Sequence, residues 1–439
     1  MAPEQQHSED GATGCVGSTA DEKTNYERTN AQMIKNVRIK NFKNFRNVEF
    51  DVRPLNVFVG PNGTGKSNLG NFLLMLSFLA SGPFSSAFGP GPFTFRQTLS
   101  RREKGDTNPQ DLDLHFEVTL EVEGVNYAYT LAFTEIRRSE YLIKEETLQQ
   151  IQGEILFTIS DVKARESKMA QMRKGHAWNE AERRIRSVAQ YLSKIKRYRF
   201  VPDLIKKPSA VQDSYLLDHT GENLAAVIHH LERNHPENFH RICAEIKRSV
   251  PGVRRIFTPH LGDPHQVGIG VEEESKSGYF VGPQLSDGFL VFLALITLFN
   301  LPDQPRIFFI EEPETYLNPN RLRILYGLMH RFAAANPGKQ VLMSSHSPYF
   351  IDWSDDKPEE LTLMNENAGW VEFRNLKGFS DLRYFLEEDP WGQEWVARFF
   401  RAEYADEPLP DLKEEMSESD DYLYATWDKE REERSAGEY

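Results

Sequence analysis

The sequence predicts an α/β fold, with a mixed sheet, an antiparallel β subdomain and a compact helical insertion. Three observations carry this. An apolar run, Leu55–Val59, enters a glycine-rich loop and leaves it as the helical pattern Ser67–Ala80. Leu112–Ile159 alternates apolar and polar residues, with a turn at Glu123-Gly124, which is the period of antiparallel strands. Two later apolar runs, Ile307–Ile310 and Val341–Met343, have the length of strands buried on both faces of a parallel sheet.

The elements follow in order. Residues 1–32 are polar, acidic and rich in Gly, Ser and Thr, the composition of a disordered tail rather than a signal peptide. Residues 33–110 open the main unit: Ile34–Phe50 reads as two strands of an edge sheet leading to the glycine-rich loop. Residues 111–160 are the antiparallel subdomain. Residues 161–254 read as the helical insertion, since IRSVAQYLSKIKRY has helical spacing and Asp218–Ser249 continues in helices. Residues 255–400 complete the main unit: the sheet resumes at Arg255–Val271, helix and strand then alternate, and Ser380–Phe400 is a last helical element. Residues 401–439 form an acidic tail with 14 acidic and 5 basic residues.

Gly60–Asn68, GPNGTGKSN, fits G-x-x-x-x-G-K-[ST] between a strand and a helix. Gly60, Gly63 and Gly65 let the backbone curl so that its N–H groups, with those of Asn62 and Asn68, face phosphate oxygens. Lys66 reaches the β- and γ-phosphates, and the Ser67 hydroxyl ligates Mg²⁺. Carboxylates end the strand at Ile307–Ile310, where α/β sheets present catalytic groups. Glu311 is expected to hold Mg²⁺ through water, and Glu312 to deprotonate the attacking water. His346, in SSHSP after the next strand, is the candidate sensor of the γ-phosphate. Leu285-Ser286-Asp287-Gly288 opens an apolar helix and makes a second anion site. Two anion sites so far apart in one chain point to two copies meeting head to tail, each supplying half of each pocket.

FKNFRNVEF at Phe42–Phe50, GPNGTGKSN, LSDG, IEEPETYLNP at Ile310–Pro319, SSHSP and HTGENLAAVIHHL at His219–Leu231 together resemble the ABC-type ATPases. Within them the chain resembles the soluble SMC/RecF/OLD-like branch, including stand-alone heads of bacterial antiphage systems such as Septu and PARIS. The resemblance spans roughly residues 33–400. It implies a P-loop ABC-type head that dimerises around two ATP molecules with Mg²⁺ and hydrolyses them. It adds Asn318 and Pro319 as a contact across the dimer, Lys43 and Asn44 beside the nucleotide, and Gln97 as the metal-sensing glutamine. Two residues depart from the usual pattern. Glu311 is one methylene longer than the usual Asp, and Asp287 puts negative charge near a phosphate site, so it either points away or slows hydrolysis. The resemblance also implies a role linked to DNA or to the control of an effector. That role is defence with a separate effector, DNA repair, or a slow ATP-gated scaffold that sequesters a toxic effector.

Charge sharpens the partner question. The net charge is −14, but Asp161–Phe200 holds 12 basic and 4 acidic residues. The Lys163–Arg199 cluster suits a phosphate backbone. A partner's acidic face and the chain's own acidic tail are the alternatives. Two cysteines, Cys15 and Cys243, exclude a disulfide framework and a zinc site, as expected of a cytoplasmic protein. The longest apolar stretches, Phe72–Ala80 and Phe289–Leu301, fall short of the ~20 residues of a membrane span.

Overall fold

Full burial on both faces selects the central strands, and period-two burial selects the outer sheet. The computed structural model describes residues 32–88, 98–100, 113–137, 140–354, 356–367 and 369–377. From the N-terminus come β1 (Met33–Phe42), β2 (Phe45–Asp51), β3 (Leu55–Val59) and helix α1 (Lys66–Ser81). β4 (Leu114–Val122), β5 (Val125–Arg137), β6 (Glu140–Gln150) and β7 (Ile155–Val162) follow, then α2 (Lys168–Lys174), α3 (Glu180–Leu192) and β8 (Ile195–Tyr198). Next come β9 (Ser209–Ala210), α4 (Leu224–Asn234), α5 (Pro236–Ser249), β10 (Val253–Phe257), β11 (His260–Leu261), β12 (Asp263–Val267), β13 (Gly270–Glu273) and β14 (Phe280–Val281). The chain continues as α6 (Asp287–Phe299), β15 (Ile307–Glu311), α7 (Pro319–Ala335), β16 (Gln340–Ser345), β17 (Leu361–Asn367) and β18 (Trp370–Asn375).

The outer sheet runs β2-β1-β4-β5-β6-β7, every neighbour antiparallel. β4 buries alternate residues from Leu114 to Val122. Glu123 and Gly124 both have positive φ, the geometry of a tight hairpin turn. The central sheet runs β18-β17-β3-β16-β15-β8; all strands but the antiparallel edge β18 are parallel. β3, β15 and β16 are buried along their whole length.

Strand parity divides the interior in two. Leu55, Val57, Val59, Phe308, Ile310, Val341 and Met343 pack with α4, α5, α6 and α7. Phe58, Ile307, Phe309 and Leu342 pack with α1, α3 and the outer sheet. Helices α1 and α6 therefore lie on opposite faces of the central sheet.

Several expectations need correction. β1 and β2 belong to the same sheet as the meander, whereas β3, from the same sequence segment, lies in the central sheet. The 161–254 stretch is not a purely helical insertion. IKRY forms β8, the edge strand beside β15, because Ile195 and Tyr198 bury against the open edge of the parallel sheet while Lys196 stays exposed. The strands within Arg255–Val271 do not resume the central sheet; they form two small sheets, β10-β13-β14 and β11-β12-β9. The N-terminal 1–31 segment, Gln97, Ser380–Phe400 and the acidic tail lie outside the described residues. Among the described residues no helix is long and apolar enough to cross a membrane.

Candidate functional site

The glycine-rich loop joins the end of β3 to α1. Gly60 N–H donates to the Ser345 carbonyl at 3.2 Å, tying the loop to the end of β16. Gly65 caps α1 with φ of 87°, and a Cβ there would come within 2.7 Å of the Asn44 amide. Asn68 Nδ2 donates to Asn44 Oδ1 at 2.7 Å, so Asn44 lies against the loop. Lys43, also at positive φ, donates its N–H to the Thr98 carbonyl. Burial, aided by the charge of Arg197, lowers its ammonium pKa. The Lys66 side chain is 3% exposed and donates to the Gly60 and Pro61 carbonyls at 2.7 and 3.0 Å. Asn62, Gly63 and Ser67 are exposed. The first turn of α1 holds no acidic residue and no side-chain cap, so its N–H groups and dipole favour an anion.

The carboxylates stand beside this loop. Glu311 shares strand parity with Ile307 and Phe309 and so faces α1. A Cβ on Gly70 would sit 2.6 Å from Glu311 Oε1; only glycine leaves the carboxylate room. Arg197 Nη2 is 2.7 Å from Glu311 Oε2, and its Nη1 donates to Asn71 Oδ1 at 2.6 Å. The Glu311 side chain is 2% exposed, and its Oε1 has no hydrogen-bond partner. Glu312 sits in the left-handed region at φ 39°, ψ 55°, with its carboxylate 3.6 Å from Lys66. Glu314 Oε1 accepts from Ser345 Oγ at 2.7 Å and from His346 N–H at 2.5 Å. His346 Nδ1 lies 3.0 Å from the same oxygen.

The exposed Ser67 hydroxyl at the start of α1 and the unpartnered Glu311 Oε1 are oxygen donors of the kind that suits Mg²⁺. No cluster of three or more His, Cys, Asp or Glu side chains that could hold a metal occurs among the described residues. A metal here would draw its remaining ligands from phosphate and water, the usual habit of Mg²⁺.

The signature residues are on the other face of the sheet. Ser286 caps α6, its Oγ accepting from Phe289 N–H at 3.3 Å. Asp287 pairs with Lys206 at 2.5 Å, which draws its charge aside. Leu285 packs against the core. A Cβ on Gly288 would meet the Tyr316 carbonyl at 2.5 Å, so this helix start is pressed against the segment before Asn318. Asn318 Oδ1 accepts from Arg321 N–H at 2.9 Å and caps α7.

The structure thus brings together Lys43, Asn44, Gly60, Gly65, Lys66, Asn68, Glu311, Glu312 and His346 at the carboxyl ends of β3, β15 and β16. Leu285, Ser286, Asp287 and Gly288 open α6 on the other face of the sheet, and Asn318 caps α7. A concavity of about 820 Å³ lies elsewhere, on the outer sheet, lined by residues that include Lys40, Arg46, His115 and Lys144.

Residues 55–352, more than half of the chain, match the family described as "AAA domain, putative AbiEii toxin, Type IV TA system". The chain belongs to this family. It is an AAA-type ATPase, and it has the fold of an SMC head. The Smc head domain with an extended coiled coil bound to the C-terminal domain of ScpA, derived from Pyrococcus furiosus, is 12% identical with a TM-score of 0.50, over 79% of this chain and 96% of that one. The SMC head domain from Thermotoga maritima is 14% identical with a TM-score of 0.44, over 78% and 99% of the two chains. The SmcHead bound to the C-winged helix domain of ScpA is 13% identical with a TM-score of 0.47, over 78% and 98%. No curated protein matches the chain.

Sequence reasoning missed Glu314 and Arg197. The signal for Glu314 was a third carboxylate two residues beyond Glu312. Arg197 was hidden inside the basic run. Part of that run is engaged within the AAA-type domain: Lys174 pairs with Glu166, Arg183 with Glu180 and Arg184 with Glu154, while Arg173 and Arg186 donate to the Ser81 and Gly175 carbonyls.

Proposed function

We propose that this AAA-type ATPase binds ATP with Mg²⁺ and hydrolyses it as a head-to-tail pair, and that the nucleotide state controls a separate effector in a cytoplasmic setting. One observation carries the reading. The helix that follows the phosphate loop packs on one face of the central sheet and the signature helix on the other, which supports a second copy's Ser286 and Gly288 as the ones that reach a nucleotide held at Lys66. Lys66, Gly60, Gly63, Gly65, Asn62 and Asn68 cradle the phosphates, with Lys43 and Asn44 alongside. Ser67 and Glu311 hold the metal, which neutralises phosphate charge when bound. Glu312 takes the proton from the attacking water, and Lys66 and His346 offset charge on the γ-phosphate. Glu314 orients His346. The partner's Ser286 backbone and hydroxyl complete the cage, with Asn318 at the contact between copies.

The family's toxin–antitoxin description favours effector control over DNA repair. The internal pairing of the basic run favours it too, since fewer cations are left for a phosphate backbone. Glu312→Gln should accumulate ATP-bound pairs: mass measurement with ATP and Mg²⁺ should give twice the monomer mass, with turnover reduced at least a hundredfold. Unchanged turnover would remove Glu312 from this role.

A further inference from the structure

We infer that Arg197 is the resident counter-ion and positioning residue of Glu311, giving way in part to the divalent metal as the site loads. This rests on the nucleotide reading above. The metal carboxylate here is Glu, with a longer reach than Asp, and its surroundings fit that length. Gly70 leaves space for Oε1, while Arg197 takes Oε2 at 2.7 Å and is itself fixed by Asn71 at 2.6 Å. One oxygen is therefore anchored and the other is left without a hydrogen-bond partner in a side chain 2% exposed. Strand register explains the placement. β8 pairs with β15 so that Arg197 lies opposite Phe309, on the face Glu311 shares.

A carboxylate this buried needs a positive partner at all times, because an orphaned buried charge is strongly destabilising. The guanidinium, always charged and shaped for carboxylates, supplies one before the metal arrives. It also competes with the metal, since a neutralised carboxylate attracts a cation less. Arg197 therefore sets how much the metal adds to nucleotide affinity, a quantity distinct from turnover.

The test is binding of a non-hydrolysable ATP analogue with Mg²⁺ and with EDTA, by calorimetry, to wild type, Arg197→Gln, Glu311→Gln and the double variant. The ratio of the two affinities is the metal increment. Arg197→Gln should raise it about tenfold, within the range of direct couplings between sites. In the Glu311→Gln background the Arg197 substitution should change nothing further. An unchanged or smaller increment in Arg197→Gln would overturn the assignment, as would an equal effect of Arg197→Gln with and without Glu311. If Arg197→Gln does not fold, the double variant should, since it orphans no charge; its failure would also overturn the assignment. Failure of wild type to bind the analogue at all would instead refute the nucleotide reading.

Discussion

Glu312 carries a backbone cost at the end of β15. A left-handed backbone at a non-glycine residue costs of order 1–3 kcal/mol and persists where function holds it. Here φ is 39°, the residue precedes Pro313, and the carboxylate is turned toward Lys66. The same backbone turn sends Glu314 back under β16, where one buried oxygen holds both Ser345 and the His346 amide. The two carboxylates are thus placed by a single strained residue. Glu312→Gly should relieve the strain and raise unfolding stability by about 1 kcal/mol, while abolishing turnover. Paired urea titrations and phosphate-release assays check this. A variant that is destabilised would mean that the Lys66–Glu312 contact outweighs the backbone term.

Between elements, α7 meets the turn before β17 through a pair whose protonation is inverted by burial. His330 Nε2 and Glu360 Oε2 are 3.3 Å apart. Burial, aided by Lys357, lowers His330 from 6.5 to about 4; burial raises Glu360 from 4.5 to about 7. A lowered histidine contributes stability above pH 6.5 and loses it as pH falls through about 4. A raised glutamate contributes stability below pH 4.5 and loses it as pH rises through about 7. Between pH 4.5 and 6.5 the folded chain keeps a proton on Glu360 where the unfolded chain keeps one on His330, so this pair adds no slope. Glu360→Gln removes one side of that balance. Its stability, relative to wild type, should rise with pH from about 4.5 to 7, the window of the Glu360 term removed, read from denaturant midpoints. Parallel pH curves for the two proteins would disprove the inversion. The elements themselves were legible to different degrees. β3, α1, β15 and β16 announce themselves, because strands buried on both faces read as apolar runs and motif residues mark their ends. β8 does not: four residues with Lys196 and Arg197 at the centre continue the helical charge pattern before them, and only the open edge of β15 makes them a strand. Arg197 was illegible for the same reason, since its role depends on strand register and not on its neighbours in sequence.

At the scale of the molecule, the central sheet separates the two halves of the chemistry. Lys66, Glu311, Glu312 and His346 gather at the carboxyl ends of β3, β15 and β16 with α1 on one face, and Ser286 opens α6 on the other. If two copies pair head to tail, each pocket takes its phosphate loop from one copy and its signature from the other, in a closed twofold contact. Complementation then follows from geometry. Lys66→Ala disables the loop. Ser286→Asp keeps a good helix cap but sets a negative charge where phosphate would sit. Each variant alone should be nearly inactive. In an equal mixture, half of the pairs are mixed. Each mixed pair has one pocket with both defects and one with neither. Turnover should recover to about a quarter of wild type if the pockets fire independently, and less if they must fire together. The measurement is steady-state phosphate release across mixing ratios. A mixture no more active than its components at every ratio, with mixed pairs detected by mass, would refute a pocket shared between copies that can fire on its own. A recovery that peaks at equal mixing would support it, because only pairing across the twofold axis creates an undamaged pocket from two damaged chains.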